Sequence, residues 1–303
     1  MSEYFFDYIK ELIPRSEILR DEPMDKHTTF RVGGPAKYFI RPADSEELEK
    51  LIKYLNLVER EYFILGNGSN LLVGDHGYDG VMIWIGKEFS DIKVDGDVIV
   101  AGAGAMLSKV ASTALEHALT GLEFASGIPG SVGGAMVMNA GAYGGEMKDI
   151  VTEVNAVTPD GEFITYSNAE MAFGYRTSIC RRANIVVTSA VFKLKKGDPE
   201  EIKAKMDDLK AQRLAKQPLQ YPSAGSTFKR PEGYFAGKLI MDAGLSGYTI
   251  GGAKVSEKHC GFVINAGNAS AADVHDVIFE VQEKVKERFG VKLEPEVCMI
   301  GEF

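Results

Sequence analysis

Arg176, Ser226, Glu294, Glu296 and His259 are the residues whose types and settings could do chemistry. Arg176 stands in Phe173-Gly174-Tyr175-Arg176-Thr177-Ser178, a setting from which a planar guanidinium could grip a carboxylate through two parallel hydrogen bonds. A structural ion pair is the alternative. Ser226 lies in Pro222-Ser223-Ala224-Gly225-Ser226-Thr227-Phe228-Lys229-Arg230, where small neighbours leave the hydroxyl accessible and nearby cations could lower its pKa. No Gly-x-Ser-x-Gly elbow surrounds it, which argues against a hydrolase nucleophile. In Leu293-Glu294-Pro295-Glu296-Val297 the period of extended chain puts both glutamates on one side, as functional acids or as two exposed strand acids. His259, in Glu257-Lys258-His259-Cys260, could bind an anion or serve in packing.

Two glycine-rich stretches offer a surface instead of a reactive group. From Gly127 to Gly145 the chain reads GIPGSVGGAMVMNAGAYGG, with seven glycines in 19 residues. A glycine costs about 0.5–1 kcal/mol of extra chain entropy in regular structure. Their density therefore argues for close backbone approach to a flat or phosphorylated ligand, with dense turns as the alternative. Ser131, Asn139 and the backbone N–H groups could build an anion-binding nest. The second stretch, Gly66-Asn67-Gly68-Ser69-Asn70, has neither a GxGxxG opening a helix nor a Gly-Lys-Ser/Thr phosphate loop. A strand follows it, so turn amides would have to hold a phosphate without a helix dipole. As a pair, the two surfaces suit an extended dinucleotide with a central pyrophosphate and a large ring system, which FAD fits. Arg31, in HTTFRVGGPA beside Thr28 and Thr29, is a further cation or a packing residue.

The elements that must position these residues are legible from caps and periodicity. Asp44 and Glu47 open a helix with Leu48, Leu51, Ile52 and Leu55 on one face. Strands are predicted at Tyr62–Leu65, Leu71–Val73, Val81–Ile85 and Val98–Ala101, and a helix at Ser108–Leu119. Val151–Val157 and Glu162–Tyr166 read as a hairpin across Pro159-Asp160-Gly161, and Asn184–Leu194 as a buried strand. Lys195-Lys196-Gly197-Asp198-Pro199 is the predicted linker, followed by a long polar helix. A strand at Gly261–Ile264 and a helix at Ala272–Phe289 follow, the helix with a Ser270/Asp273 capping box and a stripe of Val274, Val277, Ile278, Val281 and Val285.

Bulk properties narrow the class. A chain of 303 residues implies about two domains. Cys180, Cys260 and Cys298 are odd in number and show no CxxC, which fits buried thiols in a reducing compartment. His27, His76, His117 and His275 lack metal-ligand spacing, so no metal is expected. The net charge of -9 weighs against a nucleic-acid partner. There is no basic leader and no apolar run of about 18 residues, so a cytoplasmic protein with no membrane association is expected, and no obligate protein partner is evident.

The ordered strings HTTFRVGGPA, LGNGSNLLV, GLEFASGIPGSVGGAMVMNAGAYGGEM, FGYRTSIC, PSAGSTFKRP, AGLSGYTIGGAKVSEKHCGFVIN and LEPEV run collinearly from about Thr28 to Gly301. Together they closely resemble the UDP-N-acetylenolpyruvoylglucosamine reductase family. The resemblance implies an α+β fold: a two-lobed FAD-binding domain of the vanillyl-alcohol-oxidase (PCMH) type, then a smaller α+β substrate-binding domain. The expected divisions are an N-terminal helical segment at 1–26, the FAD-binding domain at 27–196 with its lobes split near 86, and the substrate-binding domain at 200–303. The implied activity is reduction of the enolpyruvyl ether of a UDP-sugar, with NADPH as reductant and noncovalent FAD between them, since LGNGSN contains no histidine for a covalent link.

The same resemblance implies residue roles. FAD is expected against Arg31, Gly66, Asn67, Gly68, Ser69 and Asn70 on one side. On the other stand Gly127, Ile128, Pro129, Gly130, Ser131, Gly133, Gly134, Ala135, Asn139 and Gly141. Arg176 would polarise the substrate carboxylate, Glu296 would assist, and Ser226 would donate a proton to the α-carbon. Tyr175, Lys216, Lys229, Arg230 and His259 are expected at the substrate or NADPH, Arg230 at a position that is often asparagine in relatives. The chain passes directly from FKRPEG through Tyr234-Phe235 to AGKLI. It thus resembles the shorter, second type of the family, which lacks the insertion bearing a tyrosine over the substrate.

Overall fold

Asp44 starts a helix as its side chain predicts: Oδ1 accepts from the N–H groups of Glu46 and Glu47 at 3.1 and 3.0 Å, and the helix runs Ser45–Leu57. Leu48, Leu51, Ile52 and Leu55 are fully buried on one face. Glu47, only 2 % exposed, turns its side chain to the residues before the helix and not to the cap. Its carboxylate accepts from Arg15 N–H at 3.1 Å, Arg15 Nε at 3.0 Å and Ser16 Oγ at 2.5 Å. Burial opposes its charge, and the bonds from Ser16 and Arg15 outweigh burial and hold the carboxyl below its ordinary range.

The computed structural model describes residues 2–303, which divide into two compact units. The first comprises the chain up to Arg20, then Tyr38–Asn67 and Gly80–Gln212; the second comprises Asp21–Lys37, Gly68–Asp79 and Arg213–Phe303. Neither unit is continuous in sequence, so the expected divisions at 27 and 200 do not coincide with them. The helix Ser2–Leu12 occupies the expected N-terminal position.

In the first unit the strand Tyr62–Leu65 runs parallel to Tyr78–Trp84, with Tyr62 opposite Val81 and Leu65 opposite Trp84. A second sheet of five strands is ordered Phe163–Ser167, Val151–Val157, Val186–Lys193, Val98–Gly102, Ile92–Asp95. One buried cluster runs through both lobes, from Ile40, Leu51 and Ile83 to Ile99, Val154 and Phe192. The predicted hairpin is present, with Gly161 at φ 84° in its turn. The predicted linker differs: Lys195–Lys196 pairs with Leu119–Thr120, and the helix Pro199–Lys216 begins directly afterwards. The strand expected from Asn184 begins at Val186, because Ile179–Ala183 is helical and Asn184 ends that helix at φ 49°.

In the second unit Thr249–Ile250, Ala253–Val255 and Val263–Asn265 form an antiparallel sheet beside the helix Ala271–Phe289. The Ser270/Asp273 capping box opens that helix, and Gly290 closes it at φ 69°. Val274, Val277, Ile278, Val281 and Val285 are buried, each contributing about 1.5–3 kcal/mol by leaving water. Phe30 and Leu72, remote in sequence, are fully buried in the same cluster. Cys298–Ile300 runs parallel to Leu71–Val73, so the strand after the short glycine loop is completed by the end of the chain. Among the described residues no helix is long and apolar enough to cross a membrane.

Candidate active site

In the second unit two distant segments are zipped together around Ser226 and Glu296. Phe228 bridges Pro295 antiparallel; Lys229 N–H donates to Glu294 O and Glu296 N–H to Thr227 O, each at 2.8 Å. Thr227 is wholly buried and acts as the rivet. Its N–H donates to Gly261 O at 2.8 Å, and its Oγ1 accepts from Val263 N–H at 2.9 Å. Asn70 Nδ2 donates to Glu296 O at 3.0 Å. Ser226 is left exposed and Glu296 half-buried. Lys229 pairs with Glu294 at 3.1 Å, which offsets part of the positive field expected around Ser226.

The other residues expected at the substrate are spread over this unit and the first. The Arg230 guanidinium lies 3.9 Å above the Phe235 ring, and Phe235 is exposed. His259 Nδ1 accepts from Gly261 N–H at 3.1 Å, so a neutral ring carries its proton on Nε2. Burial pushes its pKa below the ordinary 6.5. Lys216 is exposed at the end of its helix and makes no hydrogen bond or ion pair with the other expected residues among those described. Tyr175, in the first unit, is exposed with Arg176 Cζ 5.4 Å over its ring.

Arg176 occupies a tight turn in which Gly174 N–H donates to Thr177 O at 3.0 Å and Thr177 N–H to Gly174 O at 3.4 Å. Its φ is 55°, a left-handed conformation that a side chain disfavours. Its Nη2 donates to Gly141 O at 3.4 Å. Strain of this kind persists only where the surroundings over-determine it, and it gathers at functional sites.

Within the first unit Gly66 and Asn67 meet the 127–145 stretch. Asn67 Nδ2 donates to Pro129 O at 2.7 Å, and Gly66 lies so close to Ser131 that a Cβ on it would be 2.4 Å from Ser131 Oγ. Gly68, at φ 60°, leaves no room for a Cβ beside His27 O. Arg31 is exposed at φ 56°.

Two family models match the chain: an FAD binding domain over residues 36–167, and the C-terminal domain of UDP-N-acetylenolpyruvoylglucosamine reductase over residues 217–300. The reductase of Agathobacter rectalis is 55% identical, with all of both chains covered. That of Caldanaerobacter subterraneus subsp. tengcongensis is 52% identical, again over both full lengths. A crystal structure of the reductase from Thermus caldophilus superposes with TM-score 0.81 at 38% identity, covering 94% of this chain and 98% of that one. The chain belongs to the UDP-N-acetylenolpyruvoylglucosamine reductase family. Like the family, it is an FAD-containing oxidoreductase, and its fold is the two-lobed FAD-binding type with a smaller second domain.

The glycine surface fits that cofactor through its backbone. Among the described residues the N–H groups of Asn67, Gly68, Ser69 and Asn70 donate to no protein acceptor, the run of amides a pyrophosphate needs. Several side chains expected to touch FAD are committed elsewhere. Ala135 is 2 % exposed within the core, and Ser131 is 3 % exposed and caps the helix Val132–Met138. Asn67 and Asn70 spend their amides on Pro129 and Glu296. Asn139 is 1 % exposed, with its amide given to Glu146 Oε2 and Gly174 O and its Oδ1 taken by Lys148 N–H. Gly133 lets that helix sit against Ala103, whose O accepts its N–H at 2.8 Å. A Cβ on Gly141 would lie 2.7 Å from Gly145 O. Gly127, Pro129 and Gly134 are exposed, with Ile128 and Gly130 partly so. Sequence reasoning missed Thr227 and Ser178, neighbours of Ser226 and Arg176 whose buried hydroxyls do the fastening; adjacency was the only signal.

Proposed function

We propose that the chain reduces the enolpyruvyl ether of UDP-N-acetylglucosamine enolpyruvate to UDP-N-acetylmuramate, an early step of peptidoglycan synthesis. The chemistry supplied by bound FAD is hydride transfer, from NADPH to the methylene carbon of the ether. The amides of Asn67, Gly68, Ser69 and Asn70 hold the pyrophosphate of FAD, with exposed Arg31 as an added cation, and residues of the 127–134 stretch also contact FAD.

As the new C–H bond forms, the electron pair of the alkene moves toward the α-carbon and carboxylate, giving an enolate-like dianion. Fixed donors stabilise developing charge where water is excluded. Arg176 grips and polarises the carboxylate through its planar fork. Glu296 assists, which requires its carboxyl to carry a proton and act as a donor. Ser226 gives its hydroxyl proton to the α-carbon and regains one from solvent; so weak an acid serves only because the dianion is strongly basic. Tyr175, Lys216, Lys229, Arg230 and His259 contribute contacts to the UDP-sugar or NADPH. Both are soluble phosphorylated metabolites, so the reaction belongs to the cytoplasm and needs no protein partner, nucleic acid or membrane.

The observation that carries this reading is the Phe228–Pro295 bridge, which sets a hydroxyl and a carboxyl from opposite ends of the C-terminal domain on adjoining chain segments. Ser226→Ala tests it. Flavin reduction by NADPH should stay near the wild-type rate, while substrate-dependent flavin reoxidation slows by about 10²–10⁴-fold. Reoxidation at the wild-type rate would remove Ser226 as the acid.

A further inference from the structure

The turn that carries Arg176 is fastened on both sides to one end of the helix Val132–Met138. Asn139 ends that helix in the left-handed region, at φ 42°. Its Nδ2 donates to Gly174 O at 3.1 Å and to Glu146 Oε2 at 2.5 Å, and its Oδ1 accepts from Lys148 N–H at 3.0 Å. The other carboxylate oxygen of Glu146 lies 2.9 Å from Lys148 Nζ, which fixes the acceptor in place. Ser178, fully buried, precedes the helix Ile179–Ala183 without capping it. Its hydroxyl donates instead to Val137 O at 3.0 Å. Between these anchors Arg176 sits at φ 55° and reaches Gly141 O. The left-handed backbone disfavours any residue with a Cβ, so an unfastened turn would relax.

We propose that Asn139 and Ser178 are positioning residues for Arg176, holding the strained turn closed so that the guanidinium is already in place when the substrate carboxylate arrives. Asn139 thereby works through its turn contacts and not as a side-chain donor to FAD. The inference rests on the reading of Arg176 as the carboxylate-polarising group. Preorganisation of this kind matters because misplacing a reacting group by about 1 Å can cost about 100-fold in rate.

Asn139→Asp keeps the size of the side chain and an acceptor for Lys148, but deletes both donors and sets a second carboxylate against Glu146. Asn139→Asp with Glu146→Gln restores one donor–acceptor pair with its polarity reversed. Ser178→Ala deletes only a hydroxyl, and makes the same comparison should Asn139→Asp fail to fold. Each holoenzyme is followed by flavin reduction with NADPH, by flavin reoxidation with substrate, and by hydrogen exchange over residues 172–178. The expected result is reduction near the wild-type rate, reoxidation slowed by about 100-fold in Asn139→Asp, partial recovery in the double variant, and faster exchange over 172–178 in both single variants. Unchanged exchange, or wild-type reoxidation despite faster exchange, overturns the proposal. Arg176→Lys separates the two levels. If it slows reoxidation while folded Asn139→Asp and Ser178→Ala behave as wild type, the positioning role alone falls. If it reoxidises normally, the role of Arg176 falls and the positioning role with it.

Discussion

Arg176 and His259 show how backbone geometry selects what an ordinary side chain can do. A lysine could not replace the planar fork of Arg176 at a carboxylate, and the turn holds that half-buried fork with a strained φ of 55° and Nη2 on Gly141 O. His259 is restricted differently: Gly261 N–H occupies Nδ1 at 3.1 Å and burial depresses the pKa, so the folded ring is a neutral Nε2–H donor. This has a consequence for stability. The unfolded imidazole takes up a proton as the pH falls through about 6.5, while the folded one does so only at lower pH. Between those values the unfolded state binds more protons, so stability declines as the pH drops through the window, and above about 6.5 the group contributes nothing to pH dependence. Urea unfolding of the wild type and His259→Gln at about pH 7.5 and 5.5 checks the sign. The wild type should lose more stability than the variant over that interval; equal losses would contradict it.

At the scale of elements, the glycines turn out to serve the chain's own packing as much as a ligand. A Cβ at Gly66 meets Ser131 Oγ at 2.4 Å, and one at Gly145 meets the Phe124 ring at 2.6 Å. Gly66→Ala should therefore destabilise the FAD-free protein as well as the holoenzyme, by about 1–3 kcal/mol as in other overpacked sites. Denaturant titration of both forms measures this. A loss confined to the holoenzyme would restore the view that this glycine exists for the cofactor alone. Helices were the most legible elements: the Asp44 cap, the Ser270/Asp273 box and the valine stripe on Ala271–Phe289 are local signals carried by neighbouring residues. The Lys195-Lys196 segment misled because charged, turn-forming residues read as a linker, whereas they pair with Leu119–Thr120. Nothing local marks such a partner.

For the whole molecule, the net charge of -9 sits beside three phosphorylated ligands, a contrast that the proposed FAD site meets with backbone amides and not with a basic surface. Binding of FAD to the folded state must raise its stability, by about 2.7 kcal/mol when free FAD is about 100 times its dissociation constant. Protein stripped of FAD should melt at a lower temperature, and its midpoint should climb with the logarithm of added FAD. A midpoint insensitive to FAD would count against the amide cradle. By itself the sequence determined the family and the cofactor, and it singled out Arg176, Ser226 and Glu296 as the residues for which a catalytic role is proposed, because ordered motifs and short-range periodicities are properties of neighbouring positions. Only the tertiary structure decided that residues 21–37 and 68–79 group with the C-terminal unit, that Thr227 fastens Ser226 beside Glu296, and that Asn139 faces the turn of Arg176. The reason is physical. Burial of Phe30 and Leu72 in the C-terminal core, parallel pairing of Leu71–Val73 with Cys298–Ile300, and the side-chain bonds of Asn139 and Thr227 all join residues far apart in the chain, and such pairings exist only once the chain has closed on itself.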